Sequence, residues 1–175
     1  MSCWIERQKE TIVAILGFSA ENLLYDIQNN AYIAGSLLEG PENAHKRTLI
    51  QDLCNEGNID RVSRVLDKSM AKVKEELYPF TKGKIDHAIL QNRLVHKPAY
   101  GIVLHLPSDF SQTTLNLLEK EIHEFMVCSV LSDWLNHIAP ENGVIWATKS
   151  DSAWEEICRL KNRRIGKIRR RLHPF

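Results

Sequence analysis

Two pairs of acidic and histidine side chains have the spacing that metal-binding helices use. Glu119 precedes His123, and Asp133 precedes His137, in each case by four residues. Residues four apart lie on one side of an α-helix, so each pair could share a metal ion or form an ordinary helical ion pair. Neither pair has the second histidine and the general base of a His-Glu-x-x-His motif. A metal-dependent enzyme that uses His123 or His137 is therefore the least favoured of three functional hypotheses, and we expect no metal and no cofactor.

Other catalytic patterns are missing from the sequence. Many α/β-hydrolases carry their nucleophile in a Gly-x-Ser-x-Gly turn, and no such turn is present. The eight glycines form neither Gly-x-Gly-x-x-Gly nor Gly-x-x-x-x-Gly-Lys, the patterns that bind phosphates. Cys128 stands in an apolar stretch, where burial should raise the pKa of its thiol and disfavour the reactive thiolate. We therefore expect a protein without catalytic activity.

A basic segment at the C-terminal end is the clearest functional feature. Residues 1–158 hold 15 of the 23 Lys and Arg and all 22 Asp and Glu, a net charge of −7, whereas residues 159–175 hold eight bases and no acid, a net charge of +8. This division predicts an acidic or polyanionic partner for the basic segment, or a segment that folds back onto the acidic body. The candidate binding residues are Arg163, Arg164, Lys167, Arg169, Arg170, Arg171 and Phe175.

Three interpretations of this basic segment stay open. Clustered cations suit the phosphates of DNA or RNA without reading a base sequence. Ile165, Ile168 and Leu172 put apolar side chains among the cations, and with Phe175 as an anchor they favour docking onto an acidic groove of a protein. In the third interpretation the cations only complement the dipole at the end of a solvated helix. Nucleic acid ranks behind the other two, because a body of net charge −7 would repel a polyanion.

Hydrophobic periodicity predicts the helices that would position these side chains. Apolar residues recur at helical spacing in six stretches, which are bounded by capping residues, glycine or proline. Residues 125–131 are apolar nearly all round, so the helix that contains them should lie at the centre of the fold. The predicted helices cover residues 4–16, 20–38, 45–53, 59–77, 115–138 and 147–161.

The period changes to two between residues 82 and 107. Apolar side chains occupy every second position of residues 100–106, which predicts a strand. Residues 85–95 are its expected antiparallel partner, which gives a β-hairpin over about residues 84–106. At 175 residues and 43% hydrophobic composition, the chain suits a single domain. The predicted fold is mainly α: a helical bundle with one β-hairpin insertion in residues 1–158, followed by the basic C-terminal tail.

The cysteine spacing and the lack of long apolar runs indicate where the protein is located. The four cysteines are far apart and form no Cys-x-x-Cys pair. The sequence starts without a signal-peptide pattern and has no apolar run of about 20 residues, so we expect a cytoplasmic protein that does not enter a membrane.

Trp134 and Trp154 lie on apolar stripes and are expected in the core. Trp146 is the expected interface residue, in a connection over residues 143–147.

Three segments carry a resemblance to a known group of proteins. They are Leu23-Leu24-Tyr25-Asp26-Ile27 with Ala31-Tyr32-Ile33, then Glu56-Gly57-Asn58-Ile59-Asp60-Arg61-Val62-Ser63-Arg64-Val65-Leu66, and Arg169-Arg170-Arg171-Leu172-His173-Pro174-Phe175. On these segments the chain resembles, across nearly its whole length, uncharacterised proteins encoded by phages and prophages of gut anaerobes. The predicted architecture is also similar to that of phage head-tail connector (adaptor) proteins. Many copies of a connector form a ring under the portal, and their terminal segments dock into neighbouring assemblies.

The resemblance and the charge division together predict a structural or assembly protein, most specifically a head-tail connector component. Its partners would be neighbouring subunits or portal and tail components, it would form a homo-oligomer when assembled, and it would act in the host cytoplasm or in the virion. The alternative is a small nucleic-acid-binding protein whose tail cations contact DNA phosphates. Phosphate binding weakens steeply as salt rises, whereas docking of Ile168, Leu172 and Phe175 should not.

Overall fold

The computed structural model describes residues 11–81, 97–108 and 110–163. Helices account for 72% of these residues, and the strands form one antiparallel pair, which confirms the mainly α fold with a small β element. No helix within the described ranges is long and apolar enough to cross a membrane. In chain order the elements are β1 (Thr11–Ser19), α1 (Ala20–Ser36), α2 (Ala44–Gln51), α3 (Ile59–Glu76), α4 (Tyr78–Thr81), β2 (Ala99–Pro107), α5 (Gln112–Ile138) and α6 (Pro140–Leu160).

The long helix α5 forms the centre of the helical part. Phe125, Met126 and Leu131 are all buried, as are most of the residues between them. A helix that is apolar on every side must be covered on every side. Helices α1, α2, α3 and α6 pack against α5, so the prediction that residues 125–131 lie at the centre is confirmed.

Helix α6 starts earlier than its apolar periodicity predicted. It begins at Pro140 instead of near residue 147, because proline suits the first turn of a helix, where its missing N–H needs no partner. Only Ala139, with φ −141° and ψ 79°, separates α5 from α6. Gly143 lets the two helices approach closely, since a Cβ there would lie 2.8 Å from the backbone nitrogen of Asn136. Trp146 therefore lies within α6, and the predicted connection over residues 143–147 is wrong.

The first strand corrects a second prediction. Thr11–Ser19 is β1, so the helix predicted over residues 4–16 is wrong in its described part, and residues 4–10 lie outside the described residues. Ile12 and Ile15 are β-branched and fit a pleated strand better than a helix. Pairing with β2 then decides the conformation, because it places Leu16 and Phe18 on the buried side of the sheet.

The second strand confirms the period of two. Tyr100, Ile102, Leu104 and Leu106 are buried, and the residues between them are exposed. The strand is antiparallel to β1 along its whole length, from Thr11 opposite Pro107 to Ser19 opposite Ala99. Its partner among the described residues is thus β1, whereas the predicted partner, residues 85–95, lies outside them.

Helices α1, α2, α3 and α5 agree with their predicted positions, with small shifts at the ends, whereas the short helix α4 was not predicted. Helix α1 follows Ser19 directly, and α3 follows Asn58, as the capping pattern indicated. Helix α5 is preceded by Ser111, and not by the predicted cap at residues 108 and 109. Local sequence patterns place helix ends only within a few residues, because several polar residues in a row can each end a helix.

Leu131→Ala should destabilise the protein far more than Leu117→Ala. Leu131 is fully buried at the centre of α5, and its truncation removes apolar contacts and leaves a cavity, which costs about 2–5 kcal/mol. Leu117 is on the same helix but exposed, so its truncation should cost under about 1 kcal/mol. Urea unfolding followed by circular dichroism measures both values. Equal losses would contradict the central position of α5.

Candidate interaction surfaces

The start of the basic segment is attached to the acidic body by ion pairs. Helix α6 ends at Leu160, which is fully buried. The ammonium group of the next residue, Lys161, donates to the carboxylate of Glu76 at the end of α3. Two residues before Lys161, the guanidinium of Arg159 binds the carboxylate of Glu156 through two nitrogens. The segment therefore leaves the body in a position defined by α3 and α6.

These contacts keep both carboxylates ionised. The hydrogen bond from Lys161 is the largest cause that lowers the pKa of Glu76. The hydrogen bond from Arg159 likewise lowers the pKa of Glu156, and the charge of Arg163 adds to this effect. A carboxylate that accepts hydrogen bonds from cations resists protonation, because the bonds favour its charged form. The first cations of the basic segment thus already have carboxylates as partners.

The structure describes one of the predicted binding residues. Arg163 is exposed just beyond the end of α6, within electrostatic range of Glu156. The other candidates lie outside the described residues, so their role as a binding site stays a prediction. They are Arg164, Lys167, Arg169, Arg170, Arg171 and Phe175.

In the first of the proposed metal pairs, the packing of the helices gives His123 a partner other than Glu119. His123 does not bind Glu119; its Nε2 lies 2.8 Å from Oδ2 of Asp26 on α1. This contact joins α5 to α1 and spans 97 residues of sequence. Among the residues that the structure describes, no group of three or more His, Cys, Asp or Glu side chains could hold a metal ion.

The second proposed pair is part of a contact between α3 and α5. Asp133 accepts hydrogen bonds from Nε and Nη2 of Arg61, at 2.9 and 2.8 Å. His137 Nδ1 lies 3.2 Å from the same Nη2. The guanidinium of Arg61 also stacks on Trp134, 5.4 Å from the centre of the ring, and the indole N–H of Trp134 donates to the carbonyl oxygen of Leu49. These side chains join α2, α3 and α5.

Several nucleophilic side chains of the described residues are buried or have partners within the protein. Burial, with smaller effects from Glu124, raises the pKa of the Cys128 thiol to about 12, as its apolar stretch predicted. Burial also raises the pKa of Cys54 to about 11. In the cleft of about 450 Å³ between α3, α5 and α6, the hydroxyl of Ser129 donates to the carbonyl oxygen of Phe125. The ammonium of Lys72, on the opposite wall, stacks on Trp154 at 4.0 Å from the ring centre.

Two apolar surfaces stand apart from these charged contacts. One is a groove between α1 and α6 of about 360 Å³, in which Trp146 lies beside Ile33 and Ile145. The ammonium of Lys149 stacks on Trp146 at 4.2 Å, so the predicted interface residue is half-buried under a cation. The other is the outward side of the β1–β2 sheet, where valine, isoleucine and glycine face solvent. Sequence periodicity could not reveal the second surface, because β1 had been assigned to a helix.

Comparison with protein families, curated proteins and solved structures found no match to this chain. The resemblance to phage proteins therefore stays a prediction. Functional arguments for this chain depend on its own surfaces and charges, because a fold alone does not specify a function.

Removing metal ions should leave the stability unchanged. His123 and Asp133 already have Asp26 and Arg61 as partners, so chelation should shift the melting temperature by less than about 1 °C. Differential scanning calorimetry of the purified chain, with and without EDTA, measures the shift. A lower melting temperature in EDTA, together with a metal detected at one ion per chain, would revive the metal hypothesis.

The pKa of Glu76 should depend on Lys161. A carbon NMR titration of the Glu76 carboxyl should place its pKa below the ordinary value of 4.5, and Lys161→Ala should return it towards that value. Because the folded pKa is lowered, the pair stabilises the fold above pH 4.5 and loses this effect as the pH falls through the folded value. The variant should lack that part of the pH dependence in urea unfolding. Lys74→Ala, an exposed change nearby on α3, is the control and should leave the titration unaltered.

Proposed function

We propose that this protein is a structural assembly component whose basic C-terminal segment docks onto an acidic protein surface. The pairing of Arg159 with Glu156, and of Lys161 with Glu76, is the observation that carries the proposal. The segment's first cations are bound by carboxylates of a protein surface. The remaining cations, from Arg164 onward, have the same chemistry and would recognise carboxylates of a partner in the same way.

Charge favours a protein partner over nucleic acid. Residues 1–158, from which the segment extends, carry a net charge of −7. DNA phosphates approaching the segment would meet that negative field, whereas a protein groove with a few carboxylates needs to be acidic only where the segment lies. Ile168, Leu172 and Phe175 add apolar area that a protein groove can bury and a phosphate backbone cannot.

Within this class, the more specific proposal is a phage head-tail connector subunit without catalytic activity. The resemblance of the predicted architecture to that of phage connector proteins supports it, since such proteins assemble as rings and insert terminal segments into adjoining rings. A protein of this kind needs docking surfaces and no active site. It would be made in the host cytoplasm and would end in the virion, with portal or tail proteins as its partners.

The proposal predicts that the apolar and the basic residues of the basic segment act together on a protein partner. The test mixes the full chain with the portal protein of the same phage, or with duplex DNA, at low and moderate salt. Leu172→Ala with Phe175→Ala should weaken portal binding about tenfold or more, because buried apolar contacts account for part of it. The same change should leave any DNA binding unaltered. Light scattering measures the mass of each complex.

Two further variants distinguish the charge of the basic segment from the total charge of the chain. Replacing Arg164, Lys167, Arg169 and Arg170 with Gln should weaken portal binding, whereas replacing the exposed body residues Lys46, Arg64, Lys74 and Lys120 with Gln changes the total charge equally and should not. Tail-dependent DNA binding by a monomer, lost steeply as salt rises, would support the nucleic-acid alternative instead. Absence of any tail-dependent complex would overturn the proposed function.

A further inference from the structure

The outward side of the β1–β2 sheet is an uncharged apolar face. Ile15 is 74% exposed, Val13 56% and Val103 48%, although large β-branched side chains are usually buried in strands. Ile15 and Val103 are directly opposite each other and form one row across the strands. We call this surface the outer face; its members are Val13, Ile15, Gly17, Ala99, Gly101, Val103 and His105.

A row of two glycines lies next to the row of bulky side chains. Gly17 pairs with Gly101, two positions along the strands from Ile15 and Val103. A Cβ added at Gly17 would meet nothing within 4 Å, and one added at Gly101 would only approach the carbonyl oxygen of Leu16 at 3.8 Å. Neither glycine has a positive φ, so the backbone does not require glycine at either position. The outer face thus consists of a raised row beside a flat row.

The chemistry of the outer face limits what can bind it. None of its seven residues is Asp, Glu, Lys or Arg, and His105 is its only titratable side chain. Nucleic acid and acidic membranes bind cations, which this face does not offer. An uncharged face adds no charge repulsion of its own when two copies of the chain meet. An apolar, uncharged protein surface is the partner that this face fits.

We propose that a second copy of this chain binds the outer face, with the two sheets packed face to face. A two-fold axis between the sheets, running across the strands, reverses the strand direction of one copy. The row of Ile15 and Val103 in one copy then lies over the flat row of Gly17 and Gly101 in the other. Bulky side chains opposite glycine let two sheets approach closely without overlap. The face is therefore complementary to itself in shape as well as in charge.

The size of the face sets the strength of the contact. Two strands of nine residues, at about 3.3 Å per residue and about 4.8 Å between strands, give a footprint of roughly 300 Å². A standard interface buries about 800 Å² on each partner. The isolated dimer should therefore be weak and depend on concentration, and it becomes strong only where further contacts between the same partners act at the same time. This contact extends the proposed assembly role, but it does not involve the basic segment.

The first test measures the mass of the full chain over a wide range of concentrations by sedimentation equilibrium. The wild type should pass from monomer to dimer as the concentration rises. Ile15→Lys should raise the midpoint concentration at least tenfold, because it would bury an unpaired charge in the contact. Val144→Lys adds the same charge at an apolar residue on α6 that is 62% exposed, and it should leave the midpoint within about twofold.

The second test uses the flat row. Gly17→Val has room in the monomer and suits a strand, so the unfolding midpoint in urea should stay the same or rise. The same change fills the space that receives Ile15 of the second copy, so the dimer should weaken about tenfold or more. If Gly17→Val loses the dimer but keeps its unfolding midpoint, the loss results from the sheet contact and not from misfolding.

Three outcomes would overturn this contact. The wild type could remain a monomer at every concentration, or Ile15→Lys could dimerise as the wild type does. Alternatively, Ile15→Lys could lower the unfolding midpoint in urea without changing the mass, which would mean that the chain's own residues cover the face. The variants of the basic segment should leave this dimer unchanged. Failure of the proposed docking function and failure of the sheet contact therefore give different results.

Discussion

The burial of α5 is the constraint on which the other elements depend. Its residues 125–131 are apolar in almost every direction, and a helix of this kind is stable only when neighbours cover all of its sides. Four helices do so, and this arrangement brings the end of α6 to the end of α3. It also supports the sheet, because α1 packs on α5 and starts directly after β1, where the backbone N–H of Ala20 bonds to the carbonyl oxygen of Pro98. Both candidate surfaces are positioned by the same core.

The carboxylates near the start of the basic segment interact both with cations and with one another. Arg159 and Lys161 bind Glu156 and Glu76 and lower their pKa values. Nearby on α5, the pKa of Glu121 is raised by burial and then by the charges of Glu156 and Glu124. The carboxylates between α5 and α6 thus still repel each other after the local cations are bound. The pKa values in this part of the body therefore shift in opposite directions, down where a cation donates a hydrogen bond and up where burial and like charges dominate.

The two candidate surfaces differ in the physics of their binding. The basic segment would bind through charge, which acts at long range and depends on salt, together with the apolar side chains of Ile168, Leu172 and Phe175. The outer face of the sheet would bind through apolar contact, which acts only at close range and depends little on salt. An assembly protein benefits from this division, because one surface can select a different protein while the other joins identical copies. The uncharged outer face and the cationic segment cannot compete for one partner.

Local sequence patterns predict most of the helices and the division of charge, because both depend on residue types within short stretches. The apolar spacing of α3 and the apolar residues around Leu131 predicted a helix and its central position. The strand β1, in contrast, depends on tertiary contacts. Ile12, Ile15 and Leu16 have helical spacing, and only pairing with β2 selects the strand.

The same limit applies to the side-chain partners. Arg163 and the neighbouring cations were predicted from composition, but the Lys161–Glu76 pair spans 85 residues and the His123–Asp26 pair spans 97. Spacing along one helix wrongly suggested Glu119 as the partner of His123. Local patterns specify which face of a helix is apolar, whereas the packing of helices around α5 specifies which charges meet, since that geometry depends on the whole core at once.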